Sequence, residues 1–410
     1  MSSKMPRIAV VTHALERGGG AATMTACLHR VLNQSGRYRA DVISLAMSSS
    51  DNLSTLLRRP STWGREPGLQ ERTWRGISYV HAGAKYVEYE PCRYQPRTTL
   101  SELLSGYDLI QVVAGTPPWA CAALSAGPPC LLWTATTVWA DRASRVLSQP
   151  FPKRILQRRV ARRAEAWERR ALAECDFVFA LSPYTLQSLR RISPSVRARV
   201  AVCGVDTSLY QMAARPSGGD YILSVARFSD ARKNVTLLLD AYRLLLERHP
   251  AAPDLYLVGD PPSPASLRRI TDGGLRGRVR LIGTTTPDEL RLLYRGARLF
   301  VLSSDEEGLG IVLLEAMSCG LAAVSTRSGG PELVIADNET GILTPPGEAE
   351  PLALAMERLH LDSDLRERMG RAARIRVERQ FSLTATARPF FEKYERTLAH
   401  MPALDPVHAC

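Results

Sequence analysis

Lysine is nearly missing from this chain: Lys4, Lys85, Lys153, Lys233 and Lys393 are the only ones among 53 basic residues, and the rest are arginine. So strong an Arg bias is a compositional background, against which a lysine at a chemically useful place stands out. No apolar run is long enough to cross a bilayer. The start, MSSKMPRIAVV, passes almost directly into a strand without a secretory pattern, which points to the cytosol. The eight cysteines have neither pairing rhythm nor metal-ligand spacing, so reduced thiols are expected rather than disulfides, and no metal site. Zinc-finger spacing and RNP-type aromatic motifs are also missing, and nucleic acid is not an expected partner. The turn after the first strand, Gly18-Gly19-Gly20-Ala21, fails the dinucleotide fingerprint because Thr23 stands where the last glycine belongs. A net charge of +12 remains. It suits an anionic ligand or an anionic membrane surface.

What the chain does have is 410 residues of alternating apolar strands and amphipathic helices, enough for two domains of roughly 200 residues each. The most informative stretch runs from Phe300 to Glu332. An apolar strand breaks at Ser303, Ser304 and Asp305, passes Glu307-Gly308-Leu309-Gly310, and enters a helix that stops at Cys319-Gly320 before a second strand. Such a strand–turn–helix–strand unit commonly holds phosphate at the helix mouth. Two glycines let a ligand approach the backbone, and the first free amides, at Gly310, Ile311 and Val312, can face a diphosphate. From spacing alone, Glu307 and Glu315 read equally as ligand-binding carboxylates or as a solvated first-turn acid and a face residue.

The run EGLGIVLLEAMSCG, followed by GGPE, resembles the E-x7-E signature of retaining glycosyltransferases with the GT-B fold, family 4. The resemblance implies that Glu307 holds hydroxyls of a donor sugar. Gly308, Leu309, Gly310, Ile311 and Val312 would contact sugar and phosphate, and Glu315 the ribose. Leu309 replaces the usual Phe and keeps the position apolar. Arg227 and Lys233, six apart, match the pair that the family places on the donor diphosphate, one as a fork and one as a point charge. The base would lie against backbone near Ile282 and Gly283, and Gly19 and Gly20 would belong to the loop facing the cleft; a simple tight turn is the other reading of that loop. Glu307, Arg227 and Lys233 are thus the implied catalytic group. The implied donor is a UDP-, GDP- or other nucleotide sugar, without cofactor or metal, and the acceptor is an unspecified hydroxyl.

The implied fold is α/β: two Rossmann-like parallel-sheet domains facing a cleft. Residues 1–215, with a C-terminal helix at about 385–410 crossing back, form the acceptor domain; residues 216–384 form the nucleotide-sugar domain. A linker is expected over 212–219, MAARPSGG. The chain departs from the family at Thr134-Ala135-Thr136, where Thr136 stands in place of a histidine near the donor sugar, and at Cys203, which replaces an Asn. Trp133 and Trp139 are acceptor-side candidates, with core packing as the alternative. The basic segment 153–170 reads either as a peripheral contact with anionic membrane, in which case the alternative is a membrane-associated transferase acting on a lipid-linked or cell-envelope acceptor, or as a solvated helix face. A carbohydrate- or nucleotide-binding module without turnover is the rival of a different class.

Overall fold

The computed structural model describes residues 5–13, 15–147, 151–212 and 219–400, without the side chains of 144–157. Most of the 212–219 linker and the tail from 401 lie outside the described residues, as do the side chains of 153–157 in the basic segment.

Two twisted sheets organise the chain. The first contains β1 (Arg7–His13), β2 (Arg39–Leu45), β3 (Leu69–Trp74), β4 (Ile77–Ala82), β5 (Leu109–Ala114), β6 (Cys130–Thr134), β7 (Phe177–Ala180) and β8 (Ala198–Val200), in the order β3-β4-β2-β1-β5-β6-β7-β8. The second contains β9 (Tyr221–Val225), β10 (Asp254–Val258), β11 (Val279–Gly283), β12 (Leu299–Leu302), β13 (Ala323–Thr326) and β14 (Gly341–Thr344), in the order β11-β10-β9-β12-β13-β14. All their pairings are parallel except β3 with β4. Parallel strands covered by helices on both faces must be apolar throughout. This is why β5, β6, β9, β12, β13 and β14 are buried at every residue. The expected GT-B architecture of two Rossmann-like sheets is what the chain adopts.

One strand of this sheet, β3, carries no apolar run or alternation in the sequence to announce it, because most of its residues are exposed. Leu69–Trp74 is an antiparallel edge strand, joined to β4 through Arg75 and Gly76. Both turn residues have positive φ, 48° and 79°. That is the two-residue hairpin geometry usually marked by Asn-Gly or Asp-Gly, and arginine in the first position hides it.

The last helix, Leu383–Ala399, crosses back onto the first sheet. Its Tyr394 hydroxyl donates to the wholly buried Gln111 in β5 at 2.9 Å, and Phe390 packs 4.8 Å from Trp133 and 4.4 Å from Phe179. Trp133 is therefore core: it is fully buried and its indole N–H donates to the carbonyl of Ala201 at 2.8 Å. That corrects its candidacy for the acceptor side, since a ring enclosed between β6 and the crossing helix offers no face to a ligand.

The two crossings between the domains lie side by side. The Val205 amide donates to the Phe381 carbonyl at 2.8 Å, and a Cβ on Gly204 would sit 2.3 Å from Thr386 Oγ1. Only glycine permits that approach. Arg374 then ties the outgoing turn to the helix Ile311–Ser318, donating to the Thr207 carbonyl at 3.0 Å and the Ser318 carbonyl at 2.6 Å.

Candidate active site

The site grows from the exit of β12. Beyond Leu302 the chain no longer has sheet partners, and its polar groups are satisfied by neighbouring loops. The Glu307 amide donates to the Ser328 carbonyl and its carbonyl accepts from Gly330, both at 2.8 Å, so the residue is pinned as a one-residue bridge to the GGPE loop. Its carboxylate accepts from Lys233 Nζ at 2.6 Å and from Ser304 Oγ at 2.7 Å. Lys233 ends a short 3-10 turn, Ala231–Lys233, and Asn234, with φ of 39°, caps the helix Val235–Arg248. A strand exit and a helix start thus bring the expected lysine and glutamate into contact.

Gly308 is required by the opposite wall. A Cβ there would lie 2.5 Å from the Ala135 carbonyl oxygen, which belongs to the first domain. Gly310, with φ of 80°, begins the helix Ile311–Ser318, whose first amides have no intrahelical acceptor. Leu309 is buried, where it packs in the core that includes Leu313 and Leu302. Inside the helix, Glu315 accepts from the Tyr294 hydroxyl at 2.8 Å and the Tyr210 hydroxyl at 3.1 Å. Burial raises its pKa, against the pull of those two hydroxyls.

Other candidates are spread around this centre. Gly19 (φ 86°) precedes the helix Gly20–Gln34, and a Cβ on either Gly19 or Gly20 would meet nothing within 4 Å. Ile282 lies on the edge strand β11 and Trp139 at the start of the helix Val138–Leu147; both are exposed. Arg227 follows β9 and pairs with Asp230 at 3.4 Å, with more than half of its side chain in solvent. The structure thus joins Lys233 to Glu307 directly, while Arg227 remains an open cation nearby in the chain.

The sequence reading passed over Arg232, Glu306, Asp141 and His13. Arg232 is buried and donates to Asp230 at 2.7 Å and to Glu306 at 3.0 Å; it also pairs with Asp141 of the first domain at 3.2 Å. Thr136 Oγ1 donates to the other Glu306 oxygen at 2.9 Å. The position that usually carries histidine therefore holds a hydroxyl bonded across the cleft. Burial would raise the Asp230 pKa, but the Arg232 fork and the Lys233 charge outweigh it and hold the carboxyl down to about 2. The missed signal was the pairing of two tripeptides: Arg232-Lys233-Asn234 faces Asp305-Glu306-Glu307, each side chain bonded to one side chain of the other tripeptide. His13 ends β1 and stacks on Trp119 with ring centroids 4.4 Å apart.

The basic segment lies on the helix Phe151–Glu174. Arg158, Arg159 and Arg162 are exposed, Arg163 donates to the Tyr89 hydroxyl and lies over its ring, Ala161, Ala164 and Glu168 are buried, and Trp167 packs against Tyr94. Among the described residues no helix is long and apolar enough to cross a membrane, and no three His, Cys, Asp or Glu side chains are grouped to hold a metal. The seven cysteines among them are free.

Comparison with known proteins covers most of this frame. A family model described as Glycosyltransferase Family 4 matches residues 18–209, and one described as Glycosyl transferases group 1 matches residues 210–376. The lipopolysaccharide core biosynthesis glycosyltransferase LpsE of Rhizobium meliloti is 34% identical over 46% of this chain and 52% of its own length. A D-inositol 3-phosphate glycosyltransferase of Corynebacterium urealyticum is 32% identical over 42% of each chain. The alignments thus span about half or less of these curated relatives. Among solved structures, Anabaena HepE in complex with UDP-glucose overlays with a TM-score of 0.70 at 19% identity, covering 95% of this chain and all of that one. Sucrose-phosphate synthase from Thermosynechococcus elongatus gives 0.70 at 22% identity, covering 97% of this chain and all of that one. The two family models meet end to end at the crossing between the sheets, and the chain belongs to the family 4 glycosyltransferases of the GT-B fold.

Proposed function

We propose that the protein transfers a hexose-type sugar from a nucleotide-diphosphate sugar to a hydroxyl acceptor, with retention of anomeric configuration and without a metal. The observation that carries this reading is the Lys233–Glu307 contact at 2.6 Å, set beside the mouth of the helix Ile311–Ser318. A cation, free helix amides and a carboxylate converge there. Lys233, with Arg227 swinging in from solvent, would stabilise the charge that grows on the departing diphosphate. Helix amides would take phosphate oxygens. Glu307 would hold sugar hydroxyls and Glu315 the ribose, each exchanging a present protein partner for the donor. HepE was solved with UDP-glucose and with UDP, which supports a nucleotide sugar as donor. No side chain is assigned as a covalent nucleophile.

The test is turnover of a panel of UDP-, GDP-, ADP- and dTDP-sugars, read as free nucleoside diphosphate, followed by NMR of the product's anomeric proton. Release from at least one donor and a product with the donor's configuration are expected. Binding without release at any acceptor would favour a nucleotide-sugar-binding module, and an inverted product would refute retention.

A further inference from the structure

His13 has no task in the donor scheme, yet its ring is fixed both by a stack and by a backbone hydrogen bond. It lies flat on Trp119, with planes 7° apart, and Trp119 is in turn held edge-on by Tyr94 at 5.1 Å. The Gly115 amide donates to Nε2 at 3.3 Å. A nitrogen that accepts must present its lone pair, so the ring proton sits on Nδ1. Burial, only partly opposed by Asp141 and reinforced by Arg227, holds the pKa down to about 4 and keeps the ring neutral at working pH. Those two charges come from the two different domains, Asp141 from the first and Arg227 from the second. Nδ1 is shielded from solvent and has no hydrogen-bond partner among the described residues.

A buried N–H without an acceptor costs on the order of 1–3 kcal/mol, and such groups are normally satisfied. A ligand oxygen reached when the cleft opens would satisfy this one. General-base chemistry does not fit, because the only lone pair, on Nε2, already accepts from Gly115. We propose that His13 is a fixed hydrogen-bond donor in the cleft, giving its Nδ1 proton to a hydroxyl oxygen of the sugar substrates, from either the acceptor or the donor sugar. The inference rests on the transferase reading above.

The variants are His13→Phe, which keeps the stack on Trp119 without a donor, and His13→Asn, which places an amide N–H close to the Nδ1 position. They are assayed with the best nucleotide sugar of the panel, in water alone and with sugars and sugar alcohols as acceptors. His13→Phe is expected to lose about 10- to 100-fold in kcat/KM, and His13→Asn to recover most of it. A loss confined to transfer assigns the oxygen to the acceptor; an equal loss in hydrolysis assigns it to the donor sugar. Full activity of His13→Phe overturns the proposal. So does an inactive His13→Asn combined with a wild-type acid limb that reports an ionising base. If the wild type is idle on every sugar, the proposed function fails, and long-range 15N–1H spectra decide the inference separately. They must show the neutral Nδ1–H tautomer, and an Nε2–H tautomer or a charged ring at neutral pH overturns it.

Discussion

Replacing Lys233 with alanine separates two consequences of one contact. The ammonium lies 2.6 Å from Glu307 Oε1, with the two side chains only 15% and 11% exposed. At an effective dielectric of about 20 the gross attraction is about 6 kcal/mol, most of it offset by the desolvation of both ions. Removing the lysine leaves the Glu307 carboxylate with Ser304 as its hydroxyl donor, in a site nearly closed to water. Breaking a buried pair from one side costs about 3–5 kcal/mol; the small remaining exposure puts the expected loss near the lower end. Turnover should fall on the order of 10²- to 10³-fold, as for loss of one oxyanion-type donor. The double variant Lys233→Ala/Glu307→Gln removes the stranded charge, so urea denaturation should show most of the stability regained. Nucleoside diphosphate release should stay low. A folded Lys233→Ala protein with near-normal turnover would refute the reasoning, as would a double variant that regains activity together with stability.

Glu315→Ala should raise the dissociation constant for the nucleoside diphosphate at least about tenfold while kcat changes little, measured by calorimetry beside initial rates. Gly308→Ala forces a Cβ to 2.5 Å from the Ala135 carbonyl, so the domains must part. Its circular dichroism should be native, its kcat/KM at least about tenfold lower, and its scattering radius larger than wild type. Glu168, buried and accepting from the Val138 amide at 2.8 Å, has its pKa pushed up from 4.5 to about 7 by burial. Between those values the folded state keeps a proton that the unfolded chain has lost, so this group's contribution to stability falls as pH rises through about 7. The difference amounts to about 3 kcal/mol. Glu168→Gln should therefore be more stable than wild type at pH 8 and nearly equal to it at pH 4, by denaturant melts at both.

The parallel strands were legible because burial on both faces leaves a continuous apolar run, and the Glu307–Glu315 unit because two glycines and two acids keep fixed spacing along one chain segment. β3 was not legible: an exposed edge strand needs no apolar pattern, and its turn uses Arg75 where Asn or Asp is the usual sign. Trp133 was misplaced for a different reason. An indole at a strand end looks the same in sequence whether a ligand or the helix Leu383–Ala399 covers it, and that helix lies more than 240 residues away in the chain. The cross-cleft bonds of Thr136, Asp141, Glu306 and Arg232 were invisible because no local pattern links residues of separate domains. Likewise the state of His13 depends on the Gly115 amide, which only the fold brings to it.

The most direct test of the central claim is the thermal shift given by nucleoside diphosphates, run in parallel on wild type and on Lys233→Ala. A ligand at one hundred times its dissociation constant stabilises the folded state by about 2.7 kcal/mol. The account predicts that at least one of UDP, GDP, ADP and dTDP raises the wild-type melting temperature by that mechanism and leaves Lys233→Ala nearly unmoved. Equal shifts in the two proteins, or no shift in the wild type with any of the four, would contradict a diphosphate site built on Lys233 and the mouth of the Ile311–Ser318 helix.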